Sequence, residues 1–486
     1  MPLPLLCVTV MAPTMAELRH RRDAVTGADL VELRLDSVSD PSVAGALAGR
    51  RCPVLVTCRP KWEGGQFAGS EGERRGILND ALDRGADYVD IEFKAGFDDL
   101  IRAHGGRRIV LSMHDFDGVP TDLADRVRAM RTKGADVIKV AVLARSLSDC
   151  LSLLHIEGRT TRYPATVLVG MGAAGLPTRI LAAHFGSSWT YAGDGQALGQ
   201  ISAQRMLGEF GFRRISAQSD IYGIVGSPLT HTVSPAMHNA AFRAAAVNAA
   251  YVPFVAASGD DFMAFARALR IKGASVTIPF KMDLFDRVDE ADAVSRRVGA
   301  VNTLRFAGDR CLGTNTDVSG FLAPLRGRID LSRTRAAILG AGGAARAVVV
   351  GLASAGASVA VYARDLRRAE TVAGLVGGQA GTVPPPAGSW DLLVNATPLG
   401  TFPRTHETPF ERGLFDGRLV YDLVYNPLRT RFLSEAAAAG CATIGGLEML
   451  IAQAQEQSAL WIGHRPPARL MRDAALASLN QPEEAA

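Results

Sequence analysis

The sequence predicts an α/β chain that begins with a (β/α)8 TIM barrel and continues into a second α/β region with a doubly wound parallel sheet. First, eight short apolar runs alternate with helical stretches over about the first two hundred residues, and eight such units close a barrel. Second, a glycine turn joins a strand to a helix near residue 340. Third, a length of 486 residues favours about three domains.

The predicted barrel strands follow one another without interruption. They cover residues 5–10, 30–35, 54–58, 88–93, 109–113, 137–142, 166–169 and 189–192, with helical patterns at 15–25, 73–84 and 123–133. The alternative is an open doubly wound sheet. It is disfavoured because no glycine-rich phosphate turn follows the first strand. In a barrel, we expect the chemistry at the carboxyl ends of the strands.

Composition and charge exclude several classes of protein. Hydrophobic residues make up 48% of the chain and charged residues 21%, and a net charge of +4 without a long basic run argues against nucleic-acid binding. The six cysteines have no CxxC spacing, which predicts reduced thiols and no zinc site. No apolar run approaches a membrane span, and the first residues lack the charged region of a signal peptide. We therefore expect a cytoplasmic protein that uses no metal.

One lysine lies inside a run that otherwise resembles a buried strand. Lys139 is in the middle of DVIKVAV, residues 136–142, in a chain whose 53 basic residues include only six lysines. An amine, unlike a guanidinium, forms a Schiff base once a dry site and nearby cations disfavour its charged form. The alternative is a lysine at a strand end whose ammonium reaches solvent.

Polar residues stand at or after the ends of several other predicted strands. They are Glu32, Arg34, Arg59, Glu63, His114, Arg179 and Gln200. Each alone has an ordinary interpretation, such as an ion pair between Glu32 and Arg34 or a capping role for His114. Together they offer a residue that titrates near neutrality and guanidinium groups suited to a carboxylate.

The first half resembles type I 3-dehydroquinate dehydratase over essentially its whole length. The matching motifs are E-x-R-x-D at 32–36, T-x-R-x-x-x-E-G-G at 57–65, S-x-H-D-F at 112–116 and K-V-A-V at 139–142, with Arg179 and Gln200 downstream. The resemblance implies that Lys139 forms an imine with the substrate ketone. It also implies that His114 removes a proton and later gives one to the departing hydroxyl, and that Glu63 orients His114.

Substrate binding is also implied by this resemblance. Arg179 is expected to hold the substrate carboxylate as a bidentate clamp, while Arg59, Glu32 and Arg34 address the ring hydroxyls and keep a positive potential near Lys139. Gln200 completes this set, together with Gln196. In the family a serine usually stands at the position of Gln196, so an amide replaces a hydroxyl here, and the loop over the ligand is expected to differ in shape or affinity.

The second half opens with polar residues at strand ends. Thr232 and Ser234 precede a predicted helix, where hydroxyls bind an anion or simply cap the helix. Further on, SVTIPFK contains Thr277 and Lys281, GAVNTL contains Asn302, and GTNTD contains Asp317. The alternative for Lys281 and Asp317 is a pair of solvated loop residues.

A dinucleotide fingerprint follows a strand and opens a helix. The segment is Gly340, Ala341, Gly342, Gly343, Ala344 and Ala345, which fits G-x-G-x-x-[GA]. The next strand ends at Ala363 and Arg364, with Arg368 one turn later, and arginines at this place favour the 2′-phosphate of NADP. Asp365 beside them repels phosphate and leaves NAD open as an alternative.

With LLVNATPLG at 392–400, LVYDLVYNP at 419–427 and GLEMLIAQAQEQ at 446–457, the second half resembles shikimate dehydrogenase from end to end. The resemblance implies an α/β substrate domain followed by a Rossmann NADP-binding domain. It assigns Thr232, Ser234, Thr277, Asn302, Tyr425 and Gln453 to the substrate, Lys281 and Asp317 to the proton at the carbonyl oxygen, and Thr397, Leu423 and Gly446 to the cofactor. Thr232 stands where serine is usual, and Ala363 to Asp365 replace the usual NRT. The hydroxyls of Thr232 and Thr277 favour shikimate over quinate.

The domain boundaries follow from these motifs. We expect the barrel at 1–215, the substrate domain at 219–325 with completing C-terminal helices at 447–486, and the nucleotide domain at 330–446. The linker at 213–220 is short and polar, which keeps the product of one site near the other.

The two resemblances are consistent with each other, since 3-dehydroshikimate is the product of the first activity and the substrate of the second. We therefore expect a bifunctional enzyme acting on 3-dehydroquinate, 3-dehydroshikimate and shikimate, as a monomer or homodimer. One alternative is an NAD-linked dehydrogenase that prefers quinate. Another is a ligand-sensing regulator on the same folds, which should have lost the catalytic groups that are present here.

Overall fold

The computed structural model describes residues 2–159, 164–193, 199–229, 232–411 and 413–480. They form two compact units. The first contains the described residues of Met1–Asp220 and Asn248–Leu269, and the second those of Ile221–Val247 and Arg270–Gln481. Within the described residues, no helix combines the length and the apolar character that are needed to cross a membrane.

The first unit contains the predicted parallel barrel. Its strands are β1 (Leu5–Val10), β2 (Leu30–Arg34), β3 (Val54–Thr57), β4 (Tyr88–Glu92), β5 (Ile109–Asp115), β6 (Val137–Leu143), β7 (Ala165–Met171) and β8 (Trp189–Ala192). They follow in the order β7-β6-β5-β4-β3-β2-β1-β8, so the last strand pairs with the first. The Ser188 N–H donates to the Thr166 carbonyl oxygen at 2.7 Å, which brings the start of β8 beside β7. The barrel prediction is confirmed.

Side-chain alternation explains why a polar site lies on top of an apolar barrel interior. Leu30, Leu55, Val110 and Val137 belong to one buried cluster inside the barrel. Because side chains alternate along a strand, the residues two positions further on point to the same interior. Those residues are Glu32, Thr57, Ser112 and Lys139. The sequence therefore places a polar layer directly above the apolar cluster of the barrel interior.

Eight helices accompany these strands in the first unit. They are α1 (Met15–Ala24), α2 (Val43–Leu47), α3 (Glu71–Asp83), α4 (Asp98–Ala103), α5 (Leu123–Thr132), α6 (Leu147–Leu154), α7 (Leu176–Ile180) and α8 (Ala203–Gly208). The start of α3 is fixed by a capping box, in which the Ser70 hydroxyl accepts from the Glu73 N–H and the Glu73 carboxylate accepts from the Ser70 N–H. This places α3 firmly beside the barrel.

A later strand and helix also belong to the first unit. The two elements that follow β9 (Asp220–Gly226) and α9 (Ser234–Ala244) are β10 (Ala249–Val255) and α10 (Gly259–Ala268). The Asp261 carboxylate accepts from the Leu147 N–H at 3.1 Å and from the Ser148 N–H at 2.8 Å. An aspartate from α10 thus satisfies amide groups at the beginning of α6, where a negative charge is favourable.

The second unit contains a mixed sheet with helices around it. In this sheet β9, β11 (Gly273–Val276), β13 (Thr303–Ala307), β14 (Arg310–Thr314) and β12 (Glu290–Ala291) follow one another. The accompanying helices are α11 (Ala293–Val298), α12 (Asp317–Leu322), α16 (Gly446–Ile462) and α17 (Ala468–Leu479). The C-terminal helices α16 and α17 pack against α9 through Met237, Ile451 and Met471.

The remaining sheet of this unit is parallel throughout. Its strands are β15 (Arg335–Leu339), β16 (Ser358–Tyr362), β17 (Gln379–Gly381), β18 (Leu392–Asn395), β19 (Leu419–Asp422) and β20 (Ala442–Ile444), with helices α13 (Gly343–Ser354), α14 (Leu366–Gly374) and α15 (Arg431–Ala438). The spatial order is β17-β16-β15-β18-β19-β20. Counted from β15 this is 3-2-1-4-5-6, the order of a Rossmann sheet. The predicted fold is confirmed here as well.

Candidate functional site

The polar residues predicted in the barrel lie around one cavity of about 1040 Å³. Its lining includes Glu32, Arg34, Arg59, Glu63, His114, Lys139, Arg179 and Gln200. They come from β2, the segment after β3, β5, β6, α7 and the segment before α8, and they meet because parallel strands direct their carboxyl ends to the same rim. Gln196 lies outside the described residues.

Lys139 is a buried amine with carboxylate neighbours. Its Nζ lies 3.2 Å from Asp90 Oδ2 and 3.8 Å from Glu32 Oε1, and 4.4 Å from the centre of the Tyr191 ring. Only 5% of the residue is exposed, so the ammonium does not reach solvent in the way the alternative interpretation required. The Glu32 carboxylate is itself fixed, since the hydroxyls of Thr9 and Thr57 donate to it at 2.8 and 2.9 Å.

The two arginines expected beside Lys139 have carboxylate partners of their own. Arg34 forms a two-pronged pair with Asp36 at 2.8 and 2.7 Å. Arg59 donates to Asp90 at 3.0 Å and to Glu92 at 2.7 Å. Such forked contacts fix the guanidinium plane as well as its position. The charge around the amine is therefore a balanced network and not a simple excess of cations.

His114 and Glu63 form a buried pair at the edge of the same cavity. Glu63 Oε1 accepts from the His114 backbone N–H at 2.9 Å and lies 3.0 Å from the ring Nδ1. Burial holds the pKa of His114 well below its usual value, and the charges of Arg59 and Lys139 lower it further. With Nδ1–H donated to Glu63, the Nε2 atom keeps its lone pair and can act as a base.

Burial raises the pKa of Glu63 to about 7, against the opposing effect of Arg59. The carboxylate that orients His114 is thus lost as the pH falls through that value. For the dehydration that the sequence resemblance implies, we expect kcat to fall below pH 7 because of Glu63, since the pKa of His114 lies lower. In a Glu63→Gln variant this acid limb should disappear, while kcat at pH 8 falls by about 10- to 100-fold. A pH profile of kcat checks this, and an unchanged limb in the variant would contradict it.

Arg179 is buried in the cavity wall. Its Nη1 lies 3.5 Å from the Tyr191 carbonyl oxygen, and burial lowers its pKa to about 10. A guanidinium in so dry a place remains a cation and favours an anionic ligand. This position is consistent with the predicted carboxylate clamp.

Several residues of the barrel site were not anticipated from the sequence. They are Asp90, Glu92, Ser112 and Tyr191, which contact predicted residues directly, and Arg74, which pairs with Glu92. A signal was present for two of them. Asp90 and Glu92 alternate in YVDIE, and two acids on one face of a buried strand require cationic partners.

In the second unit, Lys281 and Asp317 form a close ion pair. Lys281 Nζ donates to Asp317 Oδ2 at 2.5 Å, and Asp317 Oδ1 accepts from Asn302 Nδ2 at 2.7 Å. Asn302 also donates to Gln453 Oε1 at 3.2 Å. Four of the predicted residues are therefore in one connected cluster, although each comes from a different segment of the sequence.

The other predicted substrate residues form local contacts. The Thr232 hydroxyl accepts from the Ser234 N–H at 3.3 Å and is hydrogen-bonded to the Tyr425 hydroxyl. Ser234 is the first residue of α9 and is 4% exposed. Thr277 follows β11, and its methyl group packs against Gly226 at the end of β9. The Thr277 hydroxyl thus lies at the carboxyl end of β11, and those of Thr232 and Ser234 lie at the start of α9.

The glycine fingerprint lies between β15 and α13. Gly340 has a φ of 108°, a region that favours glycine, and an added Cβ would lie 2.9 Å from Thr397 Cγ2. At Gly342 an added Cβ would meet nothing within 4 Å, so the turn leaves open space in front of the first turn of α13. Amide groups at a helix start bind phosphate well. The stem of Lys281 packs on Gly343, which brings the ion pair next to this turn.

Further predicted cofactor residues lie after β16 and β19 and at the start of α16. Gly446 begins α16 so close to the chain at Leu423 that an added Cβ would lie 2.3 Å from the Leu423 oxygen. Ala363, Arg364 and Arg368 follow β16, and both arginines are exposed. The Asp365 carboxylate accepts from the N–H groups of Arg367 and Arg368 at 3.0 and 3.4 Å. It therefore caps α14, a role that the sequence interpretation did not consider.

No cluster of three or more His, Cys, Asp or Glu side chains suited to a metal ion occurs among the residues with described positions. The polar clusters above are instead built from amines, guanidinium groups, carboxylates and amides.

Three segments of the chain match models of known protein families. Residues 6–216 match the family model of type I 3-dehydroquinase, residues 224–304 that of the shikimate dehydrogenase substrate binding domain, and residues 446–476 that of the shikimate 5′-dehydrogenase C-terminal domain. A crystal structure of shikimate dehydrogenase in complex with NADP⁺ superimposes with a TM-score of 0.52 at 32% identity, covering 55% of this chain and 98% of that one.

Two curated relatives extend the comparison. The shikimate dehydrogenase (NADP(+)) of Moorella thermoacetica is 43% identical over 292 residues, which cover 55% of this chain and 98% of that protein. The chloroplastic bifunctional 3-dehydroquinate dehydratase/shikimate dehydrogenase of Arabidopsis thaliana is 33% identical over 506 residues, which cover 96% of this chain and 83% of that protein. The chain therefore belongs to the family of bifunctional 3-dehydroquinate dehydratase/shikimate dehydrogenases.

Proposed function

We propose that the barrel dehydrates 3-dehydroquinate to 3-dehydroshikimate through an imine on Lys139. The observation that carries this proposal is a buried amine lining the same cavity as the oriented His114–Glu63 pair. Attack of Nζ on the ketone carbon and loss of the carbonyl oxygen as water form the imine. Its positive charge then acidifies the neighbouring C–H bond.

The remaining steps are acid–base chemistry. His114 Nε2 takes the proton from the activated carbon, and the electron pair moves towards the iminium nitrogen. The same imidazolium then protonates the hydroxyl that leaves as water, and hydrolysis of the imine by another water releases the enone and Lys139. Arg179 is proposed to hold the carboxylate of the substrate. Glu32, Arg34, Arg59 and Gln200 line the cavity beside it, and Gln196 is retained as a predicted contact.

Borohydride trapping tests this proposal directly. Reduction of the imine in the presence of 3-dehydroquinate should add the substrate skeleton to Lys139 irreversibly. Because a modified lysine resists trypsin, the adduct should appear on an uncleaved peptide of residues 134–145. An adduct on Lys133 instead, or turnover without any adduct, would overturn the assignment.

We further propose that the second half interconverts 3-dehydroshikimate and shikimate with NADP. When bound, the nicotinamide supplies or accepts the hydride. The chain's own part is the proton at the substrate oxygen, which Lys281 donates during reduction. Asp317 holds the lysine in place, and Asn302 donates to Asp317. Thr232, Ser234, Thr277, Tyr425 and Gln453 are proposed to bind the carboxylate and ring hydroxyls.

The cofactor assignment rests on the turn between β15 and α13 and on the arginines after β16. The residues proposed to hold it are Gly340, Ala341, Gly342, Gly343, Ala344, Ala345, Ala363, Arg364, Arg368, Thr397, Leu423 and Gly446. Asp365 is occupied in capping α14, which reduces the repulsion that left NAD open. Relatives named shikimate dehydrogenase (NADP(+)) support the same choice.

An Arg364→Ala/Arg368→Ala variant should have a KM for NADPH that is about 10- to 100-fold higher, because it loses charge-assisted bonds to the 2′-phosphate. The KM for NADH should be unchanged, since NADH has no phosphate there. Arg333→Ala is the matched control, because Arg333 is exposed but precedes β15 at the opposite end of the strand. Equal effects on both cofactors would contradict the assignment.

We propose domain boundaries at 1–215 for the barrel, 219–325 with 447–486 for the substrate domain, and 330–446 for the nucleotide domain, on the basis of the sequence motifs. A monomer or homodimer remains our expectation for the assembly.

A further inference from the structure

A chain of alternating charges leads from the reactive lysine to helix α3. Lys139 contacts Asp90 at 3.2 Å, Asp90 contacts Arg59 at 3.0 Å, and Arg59 contacts Glu92 at 2.7 Å. Glu92 then forms an ion pair with Arg74, which is the last residue in this series of charged contacts. All five side chains are almost completely removed from solvent.

Arg74 is an unusual residue for a helix that packs on a barrel. None of its side chain is exposed, and its guanidinium lies 4.9 Å from the centre of the Phe97 ring and 5.7 Å from that of Trp62. Its second carboxylate partner is Glu71, at 2.6 Å, whose side chain is 47% exposed. A buried cation is costly unless it is paired, so Arg74 and Glu92 depend on each other.

We propose that Arg74 is a positioning residue for the dehydratase site, which keeps Glu92 ionised so that Arg59 stays fixed against Asp90 beside Lys139. This inference rests on the proposed dehydratase function. Arg74 does not line the cavity and cannot touch the substrate. Its effect must therefore pass through Glu92 and Arg59 to the carboxylate that contacts the amine.

The electrostatics of Glu92 support this direction. Burial raises its pKa, Asp90 raises it further, and the charges of Arg59 and Arg74 oppose both effects. Without the Arg74 charge, Glu92 should take up a proton at higher pH. Arg59 would then lose one of its two anionic partners, and its forked contact between Asp90 and Glu92 would no longer be held from both sides.

The test compares Arg74→Met, Glu92→Gln and the double variant with the wild-type chain. In Arg74→Met we expect Glu92 to add a second acid limb to the pH profile of kcat/KM for 3-dehydroquinate, above the limb that belongs to Glu63, with about a tenfold loss of kcat/KM below it. Glu92→Gln mimics the protonated state and should lower kcat/KM at all pH values. Adding Arg74→Met to Glu92→Gln should change nothing further, because both act through one contact.

The controls separate this inference from a purely structural role. Glu71→Gln removes only the charge of the exposed partner of Arg74 and should not produce the second limb. Far-UV circular dichroism and the Tm report that the barrel of each variant is folded, and shikimate oxidation by the same samples is the control for the second half. If Arg74→Met only lowers the Tm, or acts equally in the Glu92→Gln background, the inference is wrong. If Arg74→Met does not fold, Glu92→Gln with wild-type kcat/KM would overturn it.

The two proposals, the dehydratase function and the role of Arg74, can fail independently. If the wild-type chain forms no borohydride adduct at Lys139, the proposed dehydratase function fails. If the adduct forms and the Arg74 variants keep the wild-type pH profile, only the role of Arg74 fails.

Discussion

A Lys139→Met variant should dehydrate 3-dehydroquinate about 10⁴-fold or more slowly than the wild-type chain, because a thioether cannot form the imine. The substitution keeps the length and the apolar part of the side chain, so β6 should pack as before. It leaves Asp90 with Arg59 at 3.0 Å and the Ser112 hydroxyl at 2.5 Å as partners. Formation of the enone product measures the rate.

Lys133→Met is the control for this variant, since Lys133 pairs with Asp98 and its side chain is 33% exposed. It should dehydrate at the wild-type rate. Shikimate oxidation should be unchanged in both variants. Dehydration by a folded Lys139→Met chain at even a hundredth of the wild-type rate would exclude the imine mechanism.

Asp317→Asn should reduce shikimate oxidation by about 10³-fold and leave dehydration unchanged. The substitution removes the charge that holds Lys281 Nζ at 2.5 Å, while it preserves the shape of the side chain. Proton transfer by a positioned group contributes about 10²- to 10⁴-fold to a rate. Reduction of NADP⁺ with shikimate measures the effect.

Asp309→Asn is a suitable comparison, because Asp309 is an exposed aspartate in the turn between β13 and β14. Its activities should both equal those of the wild-type chain. Loss of both activities in a folded Asp317→Asn chain would show that the two sites are not separate.

Much of the fold follows from the periodicity of the sequence. Apolar runs of strand length, separated by helices, leave few arrangements other than a closed parallel barrel. Because the chemistry of a barrel lies at the carboxyl ends of its strands, Glu32 and Lys139 could be assigned to one site before any contact was known. The glycine turn after β15 is similarly local, because its function requires consecutive residues.

The supporting residues of the barrel site could not be predicted in the same way. Asp90 and Glu92 were visible as acids in a strand, but their partners Arg59 and Arg74 come from other elements of the barrel. Pairing of buried charges depends on which strands become neighbours, which no local pattern specifies. Arg74 illustrates this most clearly, since it lies in a helix pattern where an arginine is ordinarily solvated.

Local capping also changed one interpretation. From the sequence alone, the negative charge of Asp365 predicts repulsion of a phosphate. In the structure its carboxylate accepts from two amides at the start of α14. The sequence alone does not distinguish an aspartate that caps a helix from one that repels a phosphate, whereas the backbone geometry does.

The measurement that tests the central claim most directly supplies the purified chain with 3-dehydroquinate and NADPH and follows NADPH oxidation. We expect NADPH consumption with shikimate as the product, and no consumption in either Lys139→Met or Asp317→Asn. Mixing these two variants should restore consumption, because each retains one of the two sites. Absence of NADPH oxidation by the wild-type chain, with both 3-dehydroquinate and 3-dehydroshikimate, would contradict the account.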